Sequence, residues 1–272
     1  MSQPDDSRDQ PHPLALAFDG PLFLRRVFVG LLLAELVIVC LDVVVTYYEA
    51  IAHHAVQDLC NMVIENSLSN WFSSVQALVV GLVLFLVGAR VAGEAGSSSR
   101  ARAAAWAVVA SFFVFLALDD GTGFHEAMGT WLEDTRGLGG FPSYAWQILF
   151  VPLWGAWALF VLFWSRREMT RRGFTLVLLG VACFVISVGI DFVEGMETPY
   201  EALTLRFSLH EDTIPHFSGV LEEFIEMLGT TLLLRAYLSH LLGLLGDVRV
   251  RVEGAFLRNG QGFRAGTDGS VR

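Results

Sequence analysis

The 272-residue chain is 54% hydrophobic and only 17% charged, with a mean hydropathy of +0.53. Soluble domains carry about 25% charged residues, so this composition points to a membrane protein. All 18 basic residues are arginine, and a net charge of −10 with a pI near 5.1 excludes nucleic acid as a partner, because that binding needs a basic footprint. Cys40, Cys60 and Cys183 show no C-x-x-C spacing, which excludes a zinc ribbon and a disulfide framework.

In chain order, residues 1–20 are polar and proline-containing and read as a disordered N-terminal segment. Residues 21–246 read as a six-helix membrane domain, and residues 247–272, rich in glycine and arginine, as a loose C-terminal tail. The apolar runs fall at about 21–47, 71–88, 103–119 (with a possible extension to 128), 145–164, 174–190 and 222–245. Each meets the requirement of roughly 17–25 mostly apolar residues for a spanning helix. No small-residue cleavage site follows the first run, so it reads as a retained helix and not a signal peptide. Trp71, Trp146 and Trp164 fall near run ends, where interfacial tryptophans are expected. The expected fold is therefore all-α: a polytopic membrane protein with a six-transmembrane-helix bundle.

Arginine sets the orientation. Arg25 and Arg26 at the first run, Arg90, Arg100 and Arg102 between the second and third, Arg166, Arg167, Arg171 and Arg172 between the fourth and fifth, and the tail arginines all share one side. The other connections hold only Arg136 and Arg206. The positive-inside rule then places both termini in the cytoplasm. Acids do the opposite: 17 of the 28 lie on or near the outer side, with five of the seven histidines. His53, His54, His210 and His216 read singly as solvated or interfacial side chains; His216, just before the last run, is the best placed of them to act as a ligand.

Three stretches carry a resemblance. ENSLSNWFSS (65–74), LDDGTGFHE (118–126) and EEFIEMLG (222–229) resemble the E-x5-W-x-S-S, L-D-E-x4-H-E and E-E-x-x-E-M-L-G motifs of an uncharacterised family of bacterial multi-pass membrane proteins. The resemblance implies an architecture, a bacterial inner (cytoplasmic) membrane and a set of polar positions, not an activity. By motif it marks Glu65, Asp119, His125, Glu126, Glu222, Glu223 and Glu226; Glu194 joins them because the fifth run ends near it. The chain departs from the family at Asp120, where glutamate is usual, and at Gly121 and Gly123, where small helix formers are usual. Two readings of the third helix stay open, one running on to His125 and one broken at these glycines.

Carboxylates and a histidine projecting from facing helices are the materials of a metal site for iron, manganese or zinc. No Glu-x-x-His occurs, so a di-iron bundle site of the usual kind is not indicated. Solvated acids at helix ends, or a cluster sharing protons, are the other readings. Glu35, Asp42 and Glu49 recur every seven residues and form an acidic stripe on the first helix. Arg235 lies at a depth comparable to that of Glu35, and the two are expected to pair. Ser73 and Ser74 read as helix-start serines bonded to backbone.

Three functions fit this pattern. The first is a metal-dependent enzyme acting on an apolar or lipid substrate. The second is a cation- or proton-coupled transporter or channel, and the third a non-catalytic assembly or sensor protein. Membrane lipid is the expected partner; the sequence names no protein partner.

Overall fold

The structure is a computed structural model that describes residues 15–17, 19–137, 141–196, 198–246 and 249–251. Two units emerge. In the first, β1 (Ala15–Ala17) pairs antiparallel with β2 (Arg249–Arg251), with Leu16 opposite Val250. The expected disordered segment at 1–20 and loose tail at 247–272 otherwise lie almost wholly outside the described residues.

The second unit, Gly20–Leu245, is helical throughout its regular structure. Its helices are α1 (Gly20–Leu41), α2 (His54–Cys60), α3 (Leu68–Ala92), α4 (Ser99–Thr122), α5 (Phe124–Arg136), α6 (Trp146–Glu168), α7 (Arg171–Glu194), α8 (Thr198–Phe207) and α9 (Thr213–Leu245). A π-helical segment, Asp42–Tyr47, prolongs α1. Six spans are long and apolar enough to cross a membrane, the shortest having 23 residues. At 1.5 Å per residue that is about 35 Å, more than the hydrocarbon core of about 30 Å. The chain is thus a multi-pass membrane protein. The spans lie where the apolar runs place them; α5 begins as a separate helix within the possible extension of the third run, and the short helices α2 and α8 occupy connections in which no helix is expected.

Local chemistry fixes the helix ends. Ser67 caps α3 by accepting the Asn70 N–H, and Thr170 caps α7 by accepting the Gly173 N–H. Gly137 adopts the left-handed conformation at the end of α5. Two seams hold the bundle. On α9, a methyl group placed on Gly229 would lie 3.0 Å from the Gly180 carbonyl oxygen of α7, and one on Gly180 would lie 2.9 Å from the Gly229 carbonyl oxygen. On α3, a methyl group placed on Gly81 would lie 3.2 Å from the Ala110 carbonyl oxygen of α4. Small residues let backbones approach in lipid, where no hydrophobic force drives helices together.

A core of Val80, Leu84, Val109, Leu233 and Tyr237 runs down the bundle. At the end where α3 runs into α4, Trp106 is fully buried against Trp164 and Tyr237. Arg102 clamps this end by binding Glu94 at 2.9 Å and Glu168 at 2.6 Å. Trp71 is 64% exposed on the bundle surface, whereas Trp146 and Trp164, at 7% and 8%, are buried among protein side chains. Those two rings face inward because their helices turn them toward other aromatic side chains.

The expected pair of Glu35 with Arg235 does not form. Glu35 is fully buried and accepts hydrogen bonds from Gln76 of α3 and Thr231 of α9. The Arg235 guanidinium instead sits 4.3 Å over the Phe28 ring. The acidic stripe breaks as well. Asp42 is buried, with its Oδ1 accepting the Met62 N–H and its Oδ2 lying 2.9 Å from His216 Nε2. Glu49, beyond the π-helical segment, is exposed with a φ of +51°.

Candidate functional site

At the other end of the bundle, α3 and α9 begin and α4 and α7 finish. This arrangement collects acids because Asp119 and Asp120 lie in the last turn of α4, Asp191 and Glu194 in the last turn of α7, Glu65 just before α3, and Glu222, Glu223 and Glu226 in the first half of α9. One cavity of about 710 Å³ opens here, and Glu65, Asp119, His125, Glu126, Glu194, Glu222, Glu223 and Glu226 all line it. Asp120, Glu133 and Asp191 raise the number of lining carboxyl groups to ten, and among the described residues no arginine lines the cavity. Its deeper wall is apolar, with Phe112, Leu116, Trp154, Val181, Phe184 and Leu233.

The break in the third span shapes the site. Gly121 stays helical, but Gly123 turns to φ +58°, ψ 33°, ending α4 and starting α5. Asp119 and Glu126 therefore do not share one continuous helix face. Any residue with a Cβ is strained in this conformation. A second constraint acts on the same position, since a methyl group there would lie 3.0 Å from Glu65 Oε2. The turn folds His125 back onto Asp119. The His125 backbone N–H donates to Asp119 Oδ1 at 3.0 Å, and Nδ1 lies 3.1 Å from Oδ2.

Asp119 is 3% exposed, so both of its oxygens are spent on orienting one histidine. The ring packs edge-on to Trp146 at 4.8 Å and to Trp154 at 5.6 Å. With Nδ1 engaged, Nε2 is the nitrogen left to meet a ligand. Burial lowers the affinity of His125 for a proton, but the bond to Asp119 and the charges of Asp119, Glu126 and Glu226 outweigh it, and its pKa lies above the ordinary histidine value. The Glu65 carboxyl is pushed up by burial first, then by the charge of Glu126. Tyr144 is pushed up to about 12 by burial, then by Glu194 and Asp191.

Uncharged side chains hold the remaining acids. Ser187 donates to Glu226 Oε1 at 2.8 Å, and Gln147 Nε2 donates to Asp191 Oδ2 at 2.6 Å. Asp120 accepts from Ser73 at 2.5 Å, from Ser74 at 2.9 Å and from Asn70 Nδ2 at 3.1 Å. The serine pair thus bonds to a carboxylate of the neighbouring helix as well as to backbone, and it joins α3 to α4.

Asp120, Glu133 and Asp191 are the lining carboxyl groups that lie outside the eight candidates. The signals were present: Asp120 holds the position of a family glutamate, and Asp191 stands three residues before Glu194 on one helix face. Among the described residues, no three His, Cys, Asp or Glu side chains already stand as they would around a metal ion. His53, His54 and His210 are exposed and line no part of the cavity, and His216 is held by Asp42.

Ten carboxyl groups facing one poorly solvated cavity repel one another. Hydration of the exposed Glu65, Glu126 and Glu133, or the uptake of protons or cations, relieves this repulsion. Carboxylates and an imidazole are ligands for hard or borderline divalent ions. No curated protein and no solved structure matches the chain. Residues 27–241 match a family model that takes in α3 to α8 whole and most of α1 and α9, and so covers the cavity and every residue named around it; the chain belongs to the family described as Domain of unknown function (DUF8692).

Proposed function

We propose that the cavity is a carboxylate and histidine site near the extracytoplasmic face of a bacterial inner membrane. In this reading it holds a divalent cation and serves a metal-dependent enzyme acting on an apolar or lipid substrate. The observation that carries the reading is the lining itself: ten carboxyl groups and one oriented histidine with no arginine, continuous with an apolar wall. His125 would offer Nε2, with Asp119 orienting the ring from behind. Glu65, Glu126, Glu194, Glu222, Glu223 and Glu226 are the candidate carboxylate ligands. Their side chains would have to draw inward around the ion, which glutamates on helix ends can do by rotamer change. A bound iron, manganese or zinc ion would supply Lewis acidity or a more acidic bound water. The chain's own groups would orient the imidazole, exclude bulk water with Trp146 and Trp154, and seat an acyl chain along the Phe112, Phe184 and Leu233 wall.

Elemental analysis of the purified protein tests this reading. Stoichiometric iron, manganese or zinc in the wild type, lost in Glu126→Ala and Glu226→Gln, is the expected result. A metal-free wild type that keeps its fold after extensive loading would refute it. The same excess of carboxyl groups favours a second reading, a cation- or proton-coupled transporter or channel, because a negative mouth concentrates cations. Ion flux into liposomes that is abolished by Glu226→Gln would favour that second reading. If Asp119→Asn and Glu226→Gln change neither metal content nor flux, a non-catalytic assembly or sensor role remains.

A further inference from the structure

Outside the acidic cavity, one buried carboxyl group, that of Glu35, has no charged partner among the described residues. Glu35 lies fifteen residues into a 28-residue span, about 22 Å from its start at 1.5 Å per residue. It is 0% exposed, Gln76 is 3% exposed and Thr231 is 0% exposed. These three side chains come from α1, α3 and α9, and none of them lines the cavity. Gln76 Nε2 donates to Glu35 Oε1 at 3.0 Å and to Thr231 Oγ1 at 2.9 Å, which uses both amide protons. Thr231 Oγ1 donates to the same Glu35 oxygen at 2.5 Å.

Two acceptors are left over, Glu35 Oε2 and Gln76 Oε1, both buried and both without a partner. Among the described residues, no hydrogen bond or ion pair joins them to a cation. The ionisable groups nearest to Glu35 and Thr231 along the chain are committed elsewhere: Arg235, one turn from Thr231, lies over Phe28; Asp42 meets His216; and Glu226 accepts from Ser187; the one ionisable residue of α3, Arg90, lies fourteen residues beyond Gln76. An ionised Glu35 would therefore place a bare charge in the membrane interior, with one oxygen unsolvated. A proton on Oε2 removes the charge and supplies the donor that this corner lacks. The orphaned oxygens belong to side chains already joined by a hydrogen bond, so one proton can serve both.

We infer that Glu35 and Gln76 form a proton-binding site, a carboxylic acid and amide pair that holds one proton in the membrane interior and ties α1 to α3 and α9. The proton is bound, not transferred: Oε2 carries it, and no bond breaks elsewhere. The pair also explains why the cluster contains a glutamine and a threonine and no arginine. An amide can face a neutral acid with both of its polar atoms, whereas a guanidinium would require the carboxylate.

Infrared spectroscopy of the full chain in nanodiscs at neutral pH tests this. The carbonyl stretch of a protonated carboxyl stands apart from the amide bands and moves in D2O. The wild-type minus Glu35→Gln difference should show one such band. Gln76→Leu should keep the band but displace it, because the acid loses its amide partner. Equal spectra for the wild type and a folded Glu35→Gln would overturn the inference, since Glu35 would then be ionised. So would a band that appears only when sodium is withheld, because a monovalent cation would then fill the site. If Glu35→Gln does not fold, Gln76→Leu decides alone, and an unmoved acid band there overturns the inference.

Discussion

Gly123→Ala is the most discriminating perturbation of the site. Gly123 has φ +58°, and an alanine there meets the left-handed penalty of about 1–2 kcal/mol. The new methyl group would lie 3.0 Å from Glu65 Oε2, the end of an exposed, flexible side chain. That contact costs little stability but pushes the Glu65 carboxylate off the cavity edge. For a protein of this size the penalty corresponds to a fall in melting temperature of about 2–8 °C, at about 2–4 °C per kcal/mol. Thermal unfolding in detergent reads the loss. Gly189→Ala is the control, because Gly189 lies within α7 with open space around it and should be neutral or stabilised. Asn tolerates the left-handed region, so Gly123→Asn should fall between wild type and Gly123→Ala, and a β-branched Gly123→Val should be worst. A Gly123→Ala protein that melts with the wild type, or an order in which Val is milder than Asn, would refute the account of the turn.

Further outcomes follow from other contacts. Asp120→Leu takes the carboxylate acceptor from Ser74, while Asn70 keeps the residue-120 carbonyl and Ser73 keeps the Asn70 carbonyl, so it should cost about 1–3 kcal/mol, measured by the same melting assay. Gly229→Val puts a side chain 3.0 Å from the Gly180 carbonyl and should destabilise by at least the overpacking cost of about 1–3 kcal/mol. Gly180→Val should do the same, and the double variant should cost less than the sum, since both open one seam. The raised pKa of His125 sets a pH dependence. Its contribution to stability is fully present below the ordinary histidine value of about 6.5 and is lost as the pH rises through the higher folded value. The metal-free melting temperature should therefore decline over that window, and His125→Asn should flatten the decline. Under the proposed function, cation binding runs the other way and tightens as the proton leaves.

The spans were legible because length and apolarity alone decide whether a helix crosses a bilayer. The eight candidate residues could be picked out because acids at the ends of such helices are costly wherever they do not serve a purpose. Other features depended on packing. Charge matching set Arg235 against Glu35, but position along a helix says nothing about which neighbour fills the facing groove, and two uncharged side chains, Gln76 and Thr231, hold Glu35 instead. Trp146 sits near a run end by sequence and inside the bundle by rotation of its helix. The π-helical segment at Asp42–Tyr47 changes the register, so a seven-residue repeat that places Glu49 below Asp42 no longer applies. At Gly123 the two readings of the third span differed by a single backbone conformation, which composition could flag but not assign.

The two glycine seams carry a mechanical consequence. They weld α3 to α4 and α7 to α9, and these are also the most extensive helix pairings in the bundle. α6 has no comparable weld: methyl groups on its Gly155 would touch nothing, and Pro152 interrupts its hydrogen-bond ladder. A frame with two welded edges yields at the third. Under the proposed function, an apolar guest would enter along α6, whose Trp154, Gly155 and Ala158 line the cavity.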